Sequence, residues 1–394
     1  MSSWWRRGSL ASDARGLTLA GQPLADLART QGTPLYVYDC GVVGKQVTSL
    51  RRALATVGRS WRIYYALKAN RHPAVVTRLR SEGDVGIDAC SPREVELARA
   101  HGFSASEISV TSSMPSNSDL AAFATAGTHV NLDSCSAVRR FAELVPRETA
   151  IGLRVDPGIR VGYDDAPKVS YGDSKLGIDK NQISEALDLA RDVGLLVDTL
   201  HMHLGWGLQR GAVEAFERAL SLLVGLAPRC PHLRTINVGG GLGAHRRAGD
   251  VPLPLDDWAA ALGRQLSSLD VTVACEPGTL LVDWAGVLLT QVTTVELKAD
   301  RLWVGVDAGH NLNVYAAHYG LPVGILSTIG PEAPSTHTYS VAGNLNESGD
   351  VFARDIRLPE VREGDFLAFV PGGAYGASMA SEHCLRGPAR EVAL

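Results

Sequence analysis

The sequence predicts an α/β protein, a parallel (β/α)8 barrel followed by a smaller antiparallel β domain. Three observations predict it. Eight short β-rich runs alternate with helical stretches between about residues 62 and 275. Helical periodicity fades after about residue 285, where further β-type runs begin. Titratable residues and glycines gather at the C-terminal ends of six of these runs, the rim where barrel sites lie.

The eight runs are 62–67, 85–89, 107–111, 129–132, 150–155, 199–204, 234–238 and 271–275. Most are continuously apolar, as strands covered on both faces should be. Between them, Ser91-Pro92-Arg93-Glu94 reads as an N-cap, a proline at the first helical position and a capping-box glutamate. Residues 181–192 and 212–226 carry apolar side chains at helical spacing. An open doubly wound sheet is the competing architecture. Past residue 285, strands are expected at 288–297, 302–306, 338–341 and 366–370. The reading divides the chain into residues 1–35 joining the β domain, a barrel over 36–285 and a β domain over 286–394. The strand-like PLYVY at 34–38 joins that domain or leads into the barrel, and the basic start MSSWWRRGSL is expected to be a frayed or edge segment.

Composition excludes several classes. The chain has 394 residues, 45% hydrophobic and 20% charged, which is ordinary for a globular protein with a sizeable core. A net charge of −4 gives no reason to expect nucleic acid or an anionic membrane as a partner. No apolar run reaches membrane-spanning length, and the start lacks the apolar stretch of a secretory signal. The six cysteines are scattered without metal-ligand spacing, so no metal is expected, and reduced thiols in the cytoplasm are.

The rim residues could carry chemistry. Lys68 follows the first run, where a desolvated amine becomes a nucleophile for carbonyls, unless it merely snorkels to the surface. Gly239-Gly240-Gly241 follows the seventh run, the usual phosphate site of such barrels, unless the glycines only serve a tight turn. Glu276 ends the eighth run and could pair with a protonated heteroaromatic nitrogen, or with a barrel arginine such as Arg154. His203 ends the sixth and could lie against a cofactor ring or be structural. Asp88 and Arg154 end the second and fifth.

With these residues the chain resembles the barrel-type (fold-type III, alanine racemase-like) pyridoxal-phosphate decarboxylases, the diaminopimelate and ornithine decarboxylase group, over roughly residues 30–392. The resemblance rests on Tyr65-Ala66-Leu67-Lys68-Ala69-Asn70, His201-Met202-His203-Leu204-Gly205, Gly239-Gly240-Gly241, Glu276-Pro277-Gly278, Asp307-Ala308-Gly309, Glu347-Ser348-Gly349-Asp350 and Gly373-Ala374-Tyr375-Gly376. The Glu-Ser-Gly-Asp stretch leans toward the diaminopimelate branch. The resemblance implies pyridoxal 5'-phosphate held covalently by Lys68, with His203 against its ring and Glu276 on the ring nitrogen. It implies phosphate contacts from Gly240, Gly241, Gly278 and Tyr375, and positioning by Asp88 and Arg154. It also implies a homodimer in which Glu347 and its neighbours reach the partner's site.

The departures are as informative. Asn346 stands where the family has its general-acid cysteine, and an amide is no acid near pH 7. Cys384 is the candidate substitute. Thr279 and Tyr315 stand where the diaminopimelate branch has two arginines for the substrate's far carboxylate. Trp206 replaces the family serine after His-x-Gly and would fill space near the phosphate or the substrate, and Tyr319 is a further candidate for binding the substrate. The expectation is decarboxylation at Cα of an amino acid or derivative other than meso-diaminopimelate, one that lacks a free distal carboxylate or carries a larger neutral or carrier-linked group, which suits biosynthesis in specialised metabolism. Racemisation or other Cα–H chemistry, with His310, His318 or Cys384 as acid or base, is the alternative. A homologue that only binds the cofactor is the third.

Overall fold

In the computed structural model, which describes residues 4–163, 174–243 and 245–394, eight parallel strands close into a barrel. They are Trp61–Ala66, Val85–Ala89, Ile108–Thr111, His129–Leu132, Ala150–Asp156, Leu196–Met202, Thr235–Asn237 and Thr272–Cys275. The eighth pairs with the first and the fourth with the fifth, so no edge remains and the open-sheet alternative is excluded. Each strand overlaps its predicted run. Their interiors are apolar because helices cover the outside while side chains fill the inside, giving one continuous core.

The helices start as the sequence suggests. Ser91 caps Pro92–Ala100 by accepting the Glu94 N–H. The expected capping box differs by one residue. Glu94 Oε2 accepts the N–H of Cys90 at 2.8 Å, and the Cys90 thiol at 3.2 Å, rather than closing on Ser91.

The second unit is a mostly antiparallel sheet built on the long strand Gly286–Lys298. That strand pairs with Arg301–Val306, with Phe366–Val370 and with Leu35–Tyr38. The PLYVY run thus belongs to this sheet. His337–Ala342 was also predicted, whereas Gly324–Ser327, Val351–Leu358 and Arg390–Ala393 were not. Residues 10–23 add a three-stranded sheet that packs against it.

The N-terminal expectation needs correction. Trp5 is buried among Leu17, Leu19 and Val370, and Trp4 stacks on His245 with centroids 6.0 Å apart, so the described start is fastened down. Residues 1–3 lie outside the described residues. All six cysteines are free. No described helix is long and apolar enough to cross a membrane, and no cluster of three or more metal-ligating side chains occurs among the described residues.

Candidate active site

A cavity of about 310 Å³ opens at the C-terminal rim of the barrel. Lys68 lines it from a 3-10 turn that ends the first strand. The backbone of that turn is fixed from the other unit. Tyr375 donates its N–H to Ala69 O at 2.7 Å and Ser378 its hydroxyl to Lys68 O at 2.8 Å. Tyr375 sits at φ +59°, a left-handed conformation rare for a bulky residue and common where a site is held under constraint.

Lys68 Nζ donates to Asp88 Oδ2 at 2.5 Å. Burial opposes its charge, but Asp88, Tyr375 and Cys90 together outweigh burial and hold the ammonium well above its usual range. Burial and nearby Glu276 push Asp88 up to about 7 against the pull of Lys68. Asp88 Oδ1 is buried and has no hydrogen-bond partner among the described residues.

Glu276 is held on both oxygens. Its Oε2 lies 3.0 Å from His201 Nε2, and its Oε1 accepts Asn237 Nδ2–H at 2.8 Å. Burial alone would raise it, but His201, and then Lys68 and His203, hold it down at about 2. Its partners are therefore not Arg154, the alternative the sequence left open. His201 and Asn237 went unassigned in the sequence, although both sit two residues from a residue singled out for chemistry.

His203 Nδ1 accepts the Gly240 N–H at 3.0 Å, which puts the neutral ring's proton on Nε2. Burial, then the Arg154 charge, lowers His203 to about 3. In cofactor-free protein the unfolded chain therefore binds this proton more readily, between its ordinary value near 6.5 and about 3. Stability from this group is full above pH 6.5 and is lost as pH falls, at no more than about 1.4 kcal/mol per pH unit. His203→Gln should flatten that part of the denaturant midpoint against pH, and an unchanged slope would contradict a buried neutral ring.

The glycines are tightly constrained. A Cβ on Gly241 would lie 2.2 Å from Gly205 O, and one on Gly278 3.0 Å from Ala69 Cβ. Gly241, Gly278 and Tyr375 line the cavity. Gly240 does not, since its N–H serves His203 and its Cβ position is filled by Glu276 O at 2.4 Å.

The expected pyridoxal phosphate needs an amine, an anion cradle, a carboxylate for the ring nitrogen and a wall for the ring face. Lys68, the backbone at Gly241 and Gly278, the ionised Glu276 and the neutral His203 meet those needs. Asp88, whose Oδ1 has no partner among the described residues, lines the same cavity. The residues present fit the group.

Thr279, Tyr315, Tyr319 and Trp206 also line the cavity, with Tyr315 packed against Tyr375 at 4.6 Å between centroids. Cys90, a thiol the sequence did not single out, also lines the cavity, and burial pushes it up to about 12. Asn346, Glu347 and Cys384 are not brought in. Glu347 is exposed and lies 3.1 Å from His383, at a separate shallow recess that His310 and His318 also line. Cys384 is exposed at φ +56°. None of these groups reaches Lys68 within one chain.

Residues 41–283 match the family described as "Pyridoxal-dependent decarboxylase, pyridoxal binding domain". A diaminopimelate decarboxylase of Methanothermobacter thermautotrophicus is 34% identical, across 97% of this chain and 91% of the relative. Its counterpart in Streptomyces coelicolor is 32% identical, across 93% and 85%. Among solved structures, diaminopimelate decarboxylase from Helicobacter pylori complexed with L-lysine superposes with a TM-score of 0.85 at 28% identity, across 94% of this chain and 93% of that one. The enzyme from M. jannaschii with L-lysine gives 0.88 at 26%, across 98% and 92%.

Proposed function

This chain belongs to the pyridoxal-dependent decarboxylase family, and on that premise we propose that it acts at Cα of an amino acid lacking a free distal carboxylate. It is a carboxy-lyase that uses pyridoxal phosphate. The observation that carries the assignment of residues is the convergence of Lys68, Asp88, His203 and Glu276 on one cavity.

When bound, pyridoxal phosphate supplies an electron sink conjugated to the substrate's Cα. Lys68 would hold it through Nζ, and Asp88 would keep that nitrogen in place. Glu276, kept ionised by His201 and Asn237, would accept a hydrogen bond from the ring nitrogen and hold a proton there. His203, oriented by the Gly240 N–H, would cover one ring face. Arg154 would position the ring, while Gly241, Gly278 and Tyr375 would receive the phosphate.

The substrate assignment rests on Thr279 and Tyr315. A carboxylate at that end would exchange water for two neutral hydroxyls, a poor replacement for bidentate guanidinium pairs. The competing reading is meso-diaminopimelate, favoured by the names of the relatives. We also propose a homodimer that shares its sites, supported by the position of Asn346 and Glu347 outside their own chain's cavity. Sedimentation should then give twice the mass of one chain.

The deciding experiment incubates the loaded protein in deuterated buffer with lysine, ornithine, arginine, glutamate and meso-diaminopimelate. Carbon dioxide release with one deuterium gained at Cα establishes decarboxylation and names a substrate. Deuterium uptake without carbon loss would make the protein a racemase or related enzyme. Turnover of meso-diaminopimelate above all others would overturn the substrate assignment.

A further inference from the structure

Two exposed loops of the β domain are tied side by side through adjacent residues. Asp350 pins the first, its Oδ1 accepting the His310 N–H at 2.7 Å and its Oδ2 the Leu345 N–H at 2.8 Å. Asn311 pins the second. Its side-chain amide donates to Ser381 O at 3.1 Å and to Arg386 O, and its carbonyl accepts the Ser381 N–H at 2.9 Å. The loops meet where His383 Nε2 lies 3.1 Å from Glu347 Oε1. A carboxylate only accepts, so the proton of that bond sits on Nε2, and His383 Nδ1 has no hydrogen-bond partner among the described residues. The second loop is held in a costly shape, with Cys384 and Leu385 at φ +56° and +55° and Leu385 90% exposed. Residues other than glycine keep that conformation only where their surroundings impose it.

These loops are walled off from their own chain's cavity. The helix Val314–Tyr319 stands between, with Tyr315 and Tyr319 lining the cavity and Val314 and His318 lining the recess that His383 and Glu347 share. The cavity meanwhile lacks one group. Cleavage of the Cα–carboxylate bond leaves an electron pair that must take up a proton. Lys68 and Asp88 are bonded to each other, Glu276 to His201 and Asn237, and His203 to Gly240. Burial pushes the Cys90 thiol up to about 12, too weak an acid to serve near neutrality.

We propose that His383 is the proton donor at Cα in the site of a second copy of this chain, carried across a two-fold interface by these loops with Glu347 beside it. The proposal rests on the carboxy-lyase reading and the shared-site homodimer, and deepens both. In a two-fold pair each chain receives what it gives. Imidazole is the side chain that exchanges protons nearest neutral pH, and it stands here where Asn346 supplies none. The Cα–carboxylate bond breaks, carbon dioxide leaves, and the electron pair at Cα takes the proton of His383 Nδ1. The ring becomes neutral with its Nε2–H still on Glu347, and water restores the proton.

The test uses pyridoxal-phosphate-loaded protein and two readouts. Diethyl pyrocarbonate modification, mapped by mass spectrometry, requires no known substrate. Reaction at His383 should be lost in the loaded dimer, while His232, exposed ahead of the seventh barrel strand on the opposite rim, should still react. The second readout is the ratio of amine to carbon dioxide from whichever of lysine, ornithine, arginine, glutamate or meso-diaminopimelate is turned over. The unaltered protein should form one amine per carbon dioxide. His383→Gln should form amine about a hundredfold more slowly. Carbon dioxide should then outrun amine, because the electron pair is protonated at the cofactor's carbonyl carbon instead. Water releases a carbonyl compound, and the cofactor, left as its amine, loses its visible absorption. Co-expression of Lys68→Ala with His383→Gln should restore about a quarter of the turnover, since half of the dimers are hybrids with one intact site of two. A protein that takes no borohydride-reducible pyridoxal phosphate at Lys68 overturns the carboxy-lyase reading and this proposal with it. In a properly loaded protein, four results overturn this proposal alone: His383 reacting as readily as His232, a His383→Gln protein that keeps its ratio, hybrids without restored turnover, or the ratio lost in Cys384→Ser instead.

Discussion

Lys68→Ala is expected to remove at least about three orders of magnitude of turnover, more than 4 kcal/mol of transition-state stabilisation. The fold gives the reason. The turn at Leu67–Ala69 is gripped by Tyr375 and Ser378, so the amine is delivered to one place, and among the described residues no second lysine lines the cavity. The substitution also strips Asp88 of its counter-ion beside Glu276, so Asp88 should take up a proton and keep the barrel folded. Lys68→Arg separates the two effects. It keeps the charge for Asp88 but supplies no amine for a carbonyl. Both variants should lose the borohydride-reducible attachment of pyridoxal phosphate. Retention of that attachment in Lys68→Ala would show that another amine holds the cofactor.

The largest effect on stability is expected at Asp283. Arg246 and Asp283 are both almost wholly buried, and burial pushes Asp283 up to about 6 even with the guanidinium beside it. Removing the acid leaves a cation in the barrel wall with no counter-charge, and Asp283→Ala should cost roughly 3–5 kcal/mol. The site also joins the two units, because Gly373 donates its N–H to Asp283 O at 2.9 Å. Urea titration gives the measurement. The double variant Arg246→Met with Asp283→Leu should recover most of the loss, since the lone charge rather than the missing pair carries the penalty. A double variant as unstable as the single one would show that the pair itself holds the wall together.

The barrel was legible because its strands are covered on both faces. Residues 151–155 are all buried, and Arg154 is the one charged side chain in an otherwise apolar run. Val351–Leu358 was not legible, since Arg354, Asp355 and Arg357 interrupt any apolar alternation and its partner is the His337–Ala342 strand. Arg390–Ala393 is four residues whose partner lies some 350 positions earlier, and no local pattern encodes that. The same division holds at the site. Lys68, Asp88, His203 and Glu276 stood out because polar groups at the ends of apolar runs are conspicuous. Arg246 did not, because His245-Arg246-Arg247 reads as a solvated loop until Trp206, Tyr315 and Asp283 fold over it. Cys90 looked like one more scattered thiol, and only the hydrogen bond to Glu94 marks its place.

The strand Leu35–Tyr38 lies between Gly286–Lys298 on one side and Arg390–Ala393 on the other. Tyr38 is held from the second of these, its hydroxyl donating to Glu391 at 2.7 Å and its carbonyl accepting the N–H of Leu394. On the ribosome this order matters. The barrel strands are all synthesised before residue 276, yet one edge of Leu35–Tyr38 waits for the final residues of the described chain. Until those residues emerge, a fully apolar strand stays open along one edge, the kind of template on which other chains pair. Removing residues 390–394 would leave a complete barrel beside an unpaired edge on Leu35–Tyr38, and such a variant should aggregate more readily than the protein that keeps them.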